Sequence, residues 1–258
     1  MTQILNEVNG AWIGLVLAAL MLLGWGGGGG AGRRRATDPS AAARGPLDDA
    51  SLAILGLLLG FTFSMSLSKH DARRQMVVTD ANAIGDFATC AALVKGPVGE
   101  KLMAKVREYV EYRLALSDRP PRGEREVEAT LDRVQRMQDE MQGLVREAVD
   151  GGTPVTVPLV NTLNEVTSAH TSRVASLRDR LPPSVMTLLL VSAVVSIVLV
   201  GREQGAGGLR PVVSTVAFVA LVSLVVWVIV DLNQPSRGLI RVSQEPMKRL
   251  LVGLGGGQ

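Results

Sequence analysis

Residues 184–200 read SVMTLLLVSAVVSIVLV, and residues 212–230 read VVSTVAFVALVSLVVWVIV, with no Asp, Glu, Lys, Arg or His in either run. A bilayer core is crossed by a helix of about 20 apolar residues, with about 17–25 tolerated. Both runs therefore predict membrane-spanning helices, joined by a short polar link that carries Arg202 and Arg210. Two more uncharged runs lie upstream, at residues 11–31 and 50–67. The spans are thus split two and two around a polar middle. Only helices and closed barrels satisfy every backbone polar group inside hydrocarbon, and runs of this length are helical.

The predicted class is an all-α polytopic membrane protein with four transmembrane helices and a helical bundle inserted between the second and third. The predicted divisions are a transmembrane hairpin over residues 1–67, a helical cytosolic domain over 68–183, a second transmembrane hairpin over 184–231, and a cytosolic tail over 232–258. Averaged over 258 residues, 47% hydrophobic and 20% charged content resembles a soluble protein. The average conceals two phases, because the charge is concentrated in the middle and the tails.

A net charge of +3 and an aromatic content of 3% argue against a nucleic-acid surface. Cys90 is the only cysteine, so neither an internal disulfide nor a thiolate metal cluster is available. The first apolar run is preceded by Glu7 and by no Lys or Arg, whereas a secretory signal has a basic leader. It is expected to be a retained helix. Glycine is a poor helix former, so that helix is expected to fray within residues 26–30, with Trp25 at the interface, where tryptophan is enriched. Basic residues near the membrane are more numerous on the side of the termini and middle segment, despite Arg33, Arg34 and Arg35 in the first loop. This charge bias places the termini and the helical domain in the cytoplasm, in the cell (inner) membrane.

The middle segment predicts four helical stretches. The second span continues without a break through residues 68–90. A helix over 98–116 carries Val98, Leu102, Val106, Tyr109, Val110 and Leu114 at helical spacing. Pro120, Pro121 and Gly123 end it. A third stretch, 124–149, sets Val127, Leu131, Val134, Met141, Val145 and Ala148 on one face against a densely charged opposite face. A fourth, 158–181, aligns Leu163, Val166, His170, Val174 and Leu177. Pro182 and Pro183 then open the third span, where proline is tolerated.

No catalytic constellation, phosphate loop or paired-histidine metal motif is visible, so no enzyme, cofactor or metal is expected. An intramembrane enzyme is disfavoured for want of catalytic groups. His170 reads either as a core histidine bonding across the bundle or as a proton or metal group. Cys90 reads as a small core or interface residue. The spans hold no ionisable group, which disfavours proton-coupled transport. A passive pore has no such need, because apolar constrictions gate by wetting and dewetting.

On the second span, Gly56, Gly60 and Ser64 form a small-residue stripe that permits close helix approach. Leu57, Phe61 and Met65 run beside it. The stripes serve either ordinary packing within one subunit or, in a ring of subunits, a neighbour contact and an apolar neck.

Two polar clusters follow the second and fourth spans. One contains Asp71, Arg73 and Arg74, then Asp80-Ala81-Asn82-Ala83-Ile84-Gly85. The other is Asp231-Leu232-Asn233-Gln234-Pro235-Ser236-Arg237-Gly238. Asp231 at a helix carboxyl end opposes the helix dipole and is expected to pair with Arg73 or Arg74. Pro235 and Gly238 suit a fixed turn.

These clusters, with Phe61, Phe63 and Ser64 before them, resemble a bacterial bestrophin-like membrane family. The resemblance spans about residues 50–250. It marks Arg73, Arg74, Asp80, Asn82, Gly85, Asp231, Pro235 and Gly238 as motif residues, with Asp80 standing where the family usually has Glu. The resemblance implies the bestrophin layout of two spans, a helical cytosolic domain and two spans. Bestrophins are pentameric ion channels with an apolar neck on the second span, which would put Leu57, Phe61 and Met65 near a pore. The function so implied is a homo-oligomeric channel for small anions in a lipid bilayer. The alternative is a non-conducting sensor or scaffold whose helical domain binds a partner.

Overall fold

The computed structural model describes residues 10–35, 46–121, 123–208, 211–234 and 238–255. Its helices are α1 (Gly10–Arg35), α2 (Pro46–Ala92), α3 (Pro97–Asp118), α4 (Glu124–Asp150), α5 (Thr156–Arg178), α6 (Pro183–Ala206), α7 (Val212–Asn233) and α8 (Glu245–Gly255). No strand occurs among the described residues. Four helices are long and apolar enough to cross a membrane, so the all-α class and the four predicted spans agree with the structure. The chain divides into two compact units, residues 1–70 with 180–241, and residues 71–179 with 242–258.

The first unit holds α1, the amino-terminal part of α2, α6 and α7. Its core joins Leu17 and Met21 of α1, Leu55 of α2, Leu189, Ala193 and Ile197 of α6, and Val222, Val226 and Ile229 of α7. Leu15, Leu23, Val213 and Leu221 stay largely exposed on its outside. Apolar side chains in that position suit contact with lipid tails. Three hydroxyls within the spans find local partners. The Thr62 hydroxyl donates to the Leu58 carbonyl one turn back, Ser196 Oγ donates to Ser51 O at 3.2 Å, and Ser66 Oγ donates to Ile229 O at 3.4 Å.

The expected fraying of α1 does not occur, and the helix is continuous through all five glycines. The reason is tertiary. A Cβ on Gly28 or Gly32 would overlap backbone atoms of Val198 or Arg202, and one on Gly201 or Gly205 would overlap those of Trp25 or Gly29. Gly24 is similarly close to Val198, at 2.9 Å from Cγ2. Glycines spaced by four on both helices let α1 and α6 meet backbone to backbone, as small-xxx-small faces do in membranes. The packing overrides a propensity cost of about 1 kcal/mol per glycine. Gly26, Gly27 and Gly30 lie on the other face, where a Cβ would have no described atom within 4 Å.

The second unit packs the carboxyl part of α2 with α3, α4, α5 and α8. Ile84 and Phe87 of α2, Leu102, Val106, Tyr109 and Val110 of α3, Met141 and Val145 of α4, Leu159 and Val166 of α5, and Met247 of α8 make one buried core. Leu177, expected in the apolar stripe of α5, is 43% exposed at the last turn. Ala169 occupies the buried phase instead. Gly85 does not interrupt α2, which runs as one helix of 47 residues.

Gly205→Ala is expected to destabilise the detergent-solubilised protein by about 1–3 kcal/mol through overpacking, whereas Gly27→Ala should stabilise it by up to about 1 kcal/mol. Thermal unfolding of the two variants side by side checks this. Equal effects would mean that the α1–α6 contact is not built on glycine.

Candidate functional site

On α2 the apolar stripe faces away from the rest of its own chain. Leu57 is 61% exposed, Phe61 63% and Met65 38%. Gly56 and Gly60 have no described atom within 4 Å of a Cβ position, and Ser64 is exposed. Among the described residues, the close helix approach seen is made by Gly28, Gly32, Gly201 and Gly205.

The motif residues of α2 divide by helical phase in the second unit. Arg73 and Asp80 point inward, while Arg74 and Asn82 point outward. Arg73 Nη2 donates to Asp179 O at 2.8 Å and its Nε to Ser176 O at 3.3 Å. A buried guanidinium thereby satisfies carbonyls at the carboxyl end of α5, where a cation also suits the helix dipole.

Asp80 is fully buried and accepts two arginines on one oxygen. Arg113 Nη2 donates to Oδ2 at 2.5 Å and Arg173 Nη1 at 2.7 Å. Arg113 Nη1 donates to Tyr109 Oη at 2.7 Å and also contacts His170 Nδ1 at 2.8 Å. Gln138 Nε2 donates to Tyr109 Oη at 3.3 Å. Arg173 Nη2 donates to Gln244 Oε1 at 2.8 Å. The network thus takes Asp80 from α2, Tyr109 and Arg113 from α3, Gln138 from α4, His170 and Arg173 from α5, and Gln244 from the residue before α8. Every helical element of the unit contributes to it or directly adjoins it.

The tautomer of His170 follows from its partner. Arginine has no acceptor, so Nδ1 accepts the bond and the ring is neutral with its proton on Nε2. Burial, and then the charge of Arg113, lowers the His170 pKa to about 4. Burial also pushes the Tyr109 phenol up. His170 is therefore a core acceptor in this structure. Among the described residues no cluster of His, Cys, Asp or Glu could hold a metal ion.

Arg74, Asn82 and Gly85 meet on the outside of the same unit, in a groove of about 710 Å³. Ser243, Glu245 and Arg249 form its other wall. Gly85 is also close to α8, with its Cβ position 3.5 Å from Leu250 Cδ1.

In the first unit, Asp231 is buried at the end of α7 and accepts two backbone amides. Leu239 N–H donates to Oδ1 and Ile240 N–H to Oδ2, both at 2.9 Å. These amides supply positive ends of dipoles at the helix end. Gly238 lies against the same residue: a Cβ there would come within 2.7 Å of Asp231 O and 3.0 Å of Oδ2. Gly238, Leu239 and Ile240 thus all lie against Asp231. Pro235 lies outside the described residues.

Arg113 and Arg173 were not among the sequence-predicted site residues. Their signal was phase: Arg113 lies one turn beyond Tyr109, and Arg173 three residues beyond His170, on faces otherwise apolar. A charged residue on a buried stripe needs a buried partner.

A family model described as the bestrophin-like domain matches residues 14–247. No curated protein matches the chain. Among solved structures, a mutant bacterial bestrophin homologue from Klebsiella pneumoniae is similar, with a TM-score of 0.68 at 11% identity. The match covers 96% of this chain and 100% of that one. At this identity it shows a shared fold.

Two outcomes follow from the buried network. The unfolded chain binds a proton at His170 near pH 6.5 and the folded chain only near 4, so stability is lost as pH falls through that window. In His170→Gln, which keeps an acceptor for Arg113, this part of the acid sensitivity should vanish; an unchanged pH profile of Tm would refute it. Asp80→Asn should cost about 3–5 kcal/mol by leaving two guanidinium groups underpaired, measurable by chemical denaturation.

Proposed function

Because the chain belongs to the bestrophin-like family, we propose that it is a homo-oligomeric membrane channel for small anions, with Leu57, Phe61 and Met65 of α2 forming an apolar neck. The observation that carries this reading is the outward exposure of that uncharged stripe beside a bare glycine stripe. In a ring of subunits, Gly56, Gly60 and Ser64 give a neighbouring helix close approach. The adjacent stripe then turns toward the axis, where an apolar constriction can gate by dewetting. Bestrophins suggest five subunits. The excess of Lys and Arg beside the spans favours cytoplasmic termini and a cytoplasmic helical domain, in the inner membrane.

A second reading has its own support. The open groove bearing Arg74, Asn82, Glu245 and Arg249 suits a non-conducting sensor or scaffold that engages a partner through the helical domain.

Currents through purified protein in a planar bilayer separate the two. A ring-forming protein that conducts anions, and whose unitary conductance or gating changes in Phe61→Ala, is the expected result. Unaltered currents in that variant would remove the neck assignment. A monomer in detergent would sink the channel, and a silent ring would favour the scaffold.

A further inference from the structure

The glycine run of α1 has two faces, and packing accounts for only one. Gly28 and Gly32 are required by α6, but Gly26, Gly27 and Gly30 touch nothing within 4 Å of a Cβ position. Each glycine in a helix interior costs about 1 kcal/mol relative to alanine, and nothing among the described residues compensates at these three. Two of them, Gly26 and Gly30, line a cavity of about 360 Å³ whose other walls include Trp25, Arg33, Gln204 and Val212. Side chains at 26 and 30 would fill it.

The cavity has a defined polar end. Trp25 Nε1 donates to Gln204 Oε1 at 2.8 Å, which fixes the indole as a wall. Gln204 Nε2 donates one of its two N–H groups to Thr215 Oγ1 at 3.4 Å. Among the described residues, Arg33 makes no ion pair or hydrogen bond and no acidic residue lines the cavity. Arg34, Arg35 and Arg202 add positive charge nearby in sequence or on the facing helix. Toward the middle of α1, Leu22 and Leu23 are exposed and apolar.

We propose that this cavity is a binding site for an anionic phospholipid, taking the phosphate-bearing headgroup at Arg33 and Gln204 and laying an acyl chain along the glycine face of α1. The cavity lies where the uncharged run of α1 gives way to arginine, as a headgroup-level site must. A guanidinium recognises a phosphate through charge-assisted hydrogen bonds, and basic pockets between membrane helices select acidic headgroups. Charge also argues against a second copy of the chain as the occupant. Subunits of a cyclic membrane oligomer sit the same way up, so a neighbour would bring its own arginine cluster to the same depth.

The test is lipid binding by the purified full-length protein in detergent, followed by native mass spectrometry and thermal unfolding. Phosphatidylglycerol is compared with phosphatidylcholine and with inorganic phosphate. Phosphatidylglycerol should bind more tightly than phosphatidylcholine and raise Tm, and inorganic phosphate should not raise it. Arg33→Gln should weaken phosphatidylglycerol binding about fivefold and weaken phosphatidylcholine binding less. The double variant Gly26→Leu, Gly30→Leu should fold, because both positions face open space, and should lose the phosphatidylglycerol preference. Full retention of that preference in both variants would overturn the proposal. So would an equal Tm rise with phosphatidylcholine or inorganic phosphate. A double variant that alters subunit number while keeping the lipid preference would assign the face to a second copy and overturn it as well. None of these readouts depends on whether the protein conducts.

Discussion

The Asp80 carboxylate is fully buried and shares one oxygen between two guanidinium groups. Two cations and an anion out of water are costly unless each is closely paired. That requirement fixes more than a pairwise distance. Arg113 must also meet Tyr109 and His170, and Arg173 must also meet Gln244. The registers of α2, α3 and α5, and the approach to α8, are thus tied to one another through a single carboxylate. An all-apolar core of the same volume would tolerate small slips of one helix along another, whereas a forked polar network tolerates few. The neighbouring motif positions follow from the same helical phase. Placing Asp80 inward also turns Arg73 inward, two turns earlier, and leaves Arg74 and Asn82 facing the groove.

Much of this architecture is readable from spacing. Uncharged runs of membrane length, a proline pair before α6 and amphipathic stripes in α3 and α4 locate the helices closely. The misreadings share one physical origin, which is that tertiary contact reverses a local rule. Glycine propensity predicts a frayed α1, but spacing by four on both α1 and α6 converts the same glycines into a contact surface. At the end of α7, backbone amides a few residues later offset the dipole that Asp231 opposes. A turn that folds back on its own helix leaves no charge signature in sequence. His170 shows the opposite case. Its place on an apolar stripe already implies a core role, and the structure adds its partner and therefore its tautomer.

The membrane-facing unit places its small residues in two separate stripes with different surroundings. On α1 and α6, glycines meet a backbone. On α2, Gly56 and Gly60 meet nothing among the described residues, and an apolar ridge runs beside them. Composition alone cannot distinguish these uses, because both read as glycine in an uncharged helix. They differ in whether a second stripe at matching spacing exists in the same chain. Residues 24, 28 and 32 have such a counterpart at 201 and 205.

The backbone contact between α1 and α6 has a thermodynamic consequence. Burying long side chains costs rotamer freedom, up to about 2 kcal/mol for the most flexible, whereas glycine has none to lose. The two helices therefore associate across their glycine rows with almost no side-chain ordering. The contact rests on dispersion between facing peptide groups, which varies little with rotamer state. The entropic cost of joining this pair of spans therefore falls on the backbone, whereas contacts between leucine and valine elsewhere in the unit also carry a side-chain share.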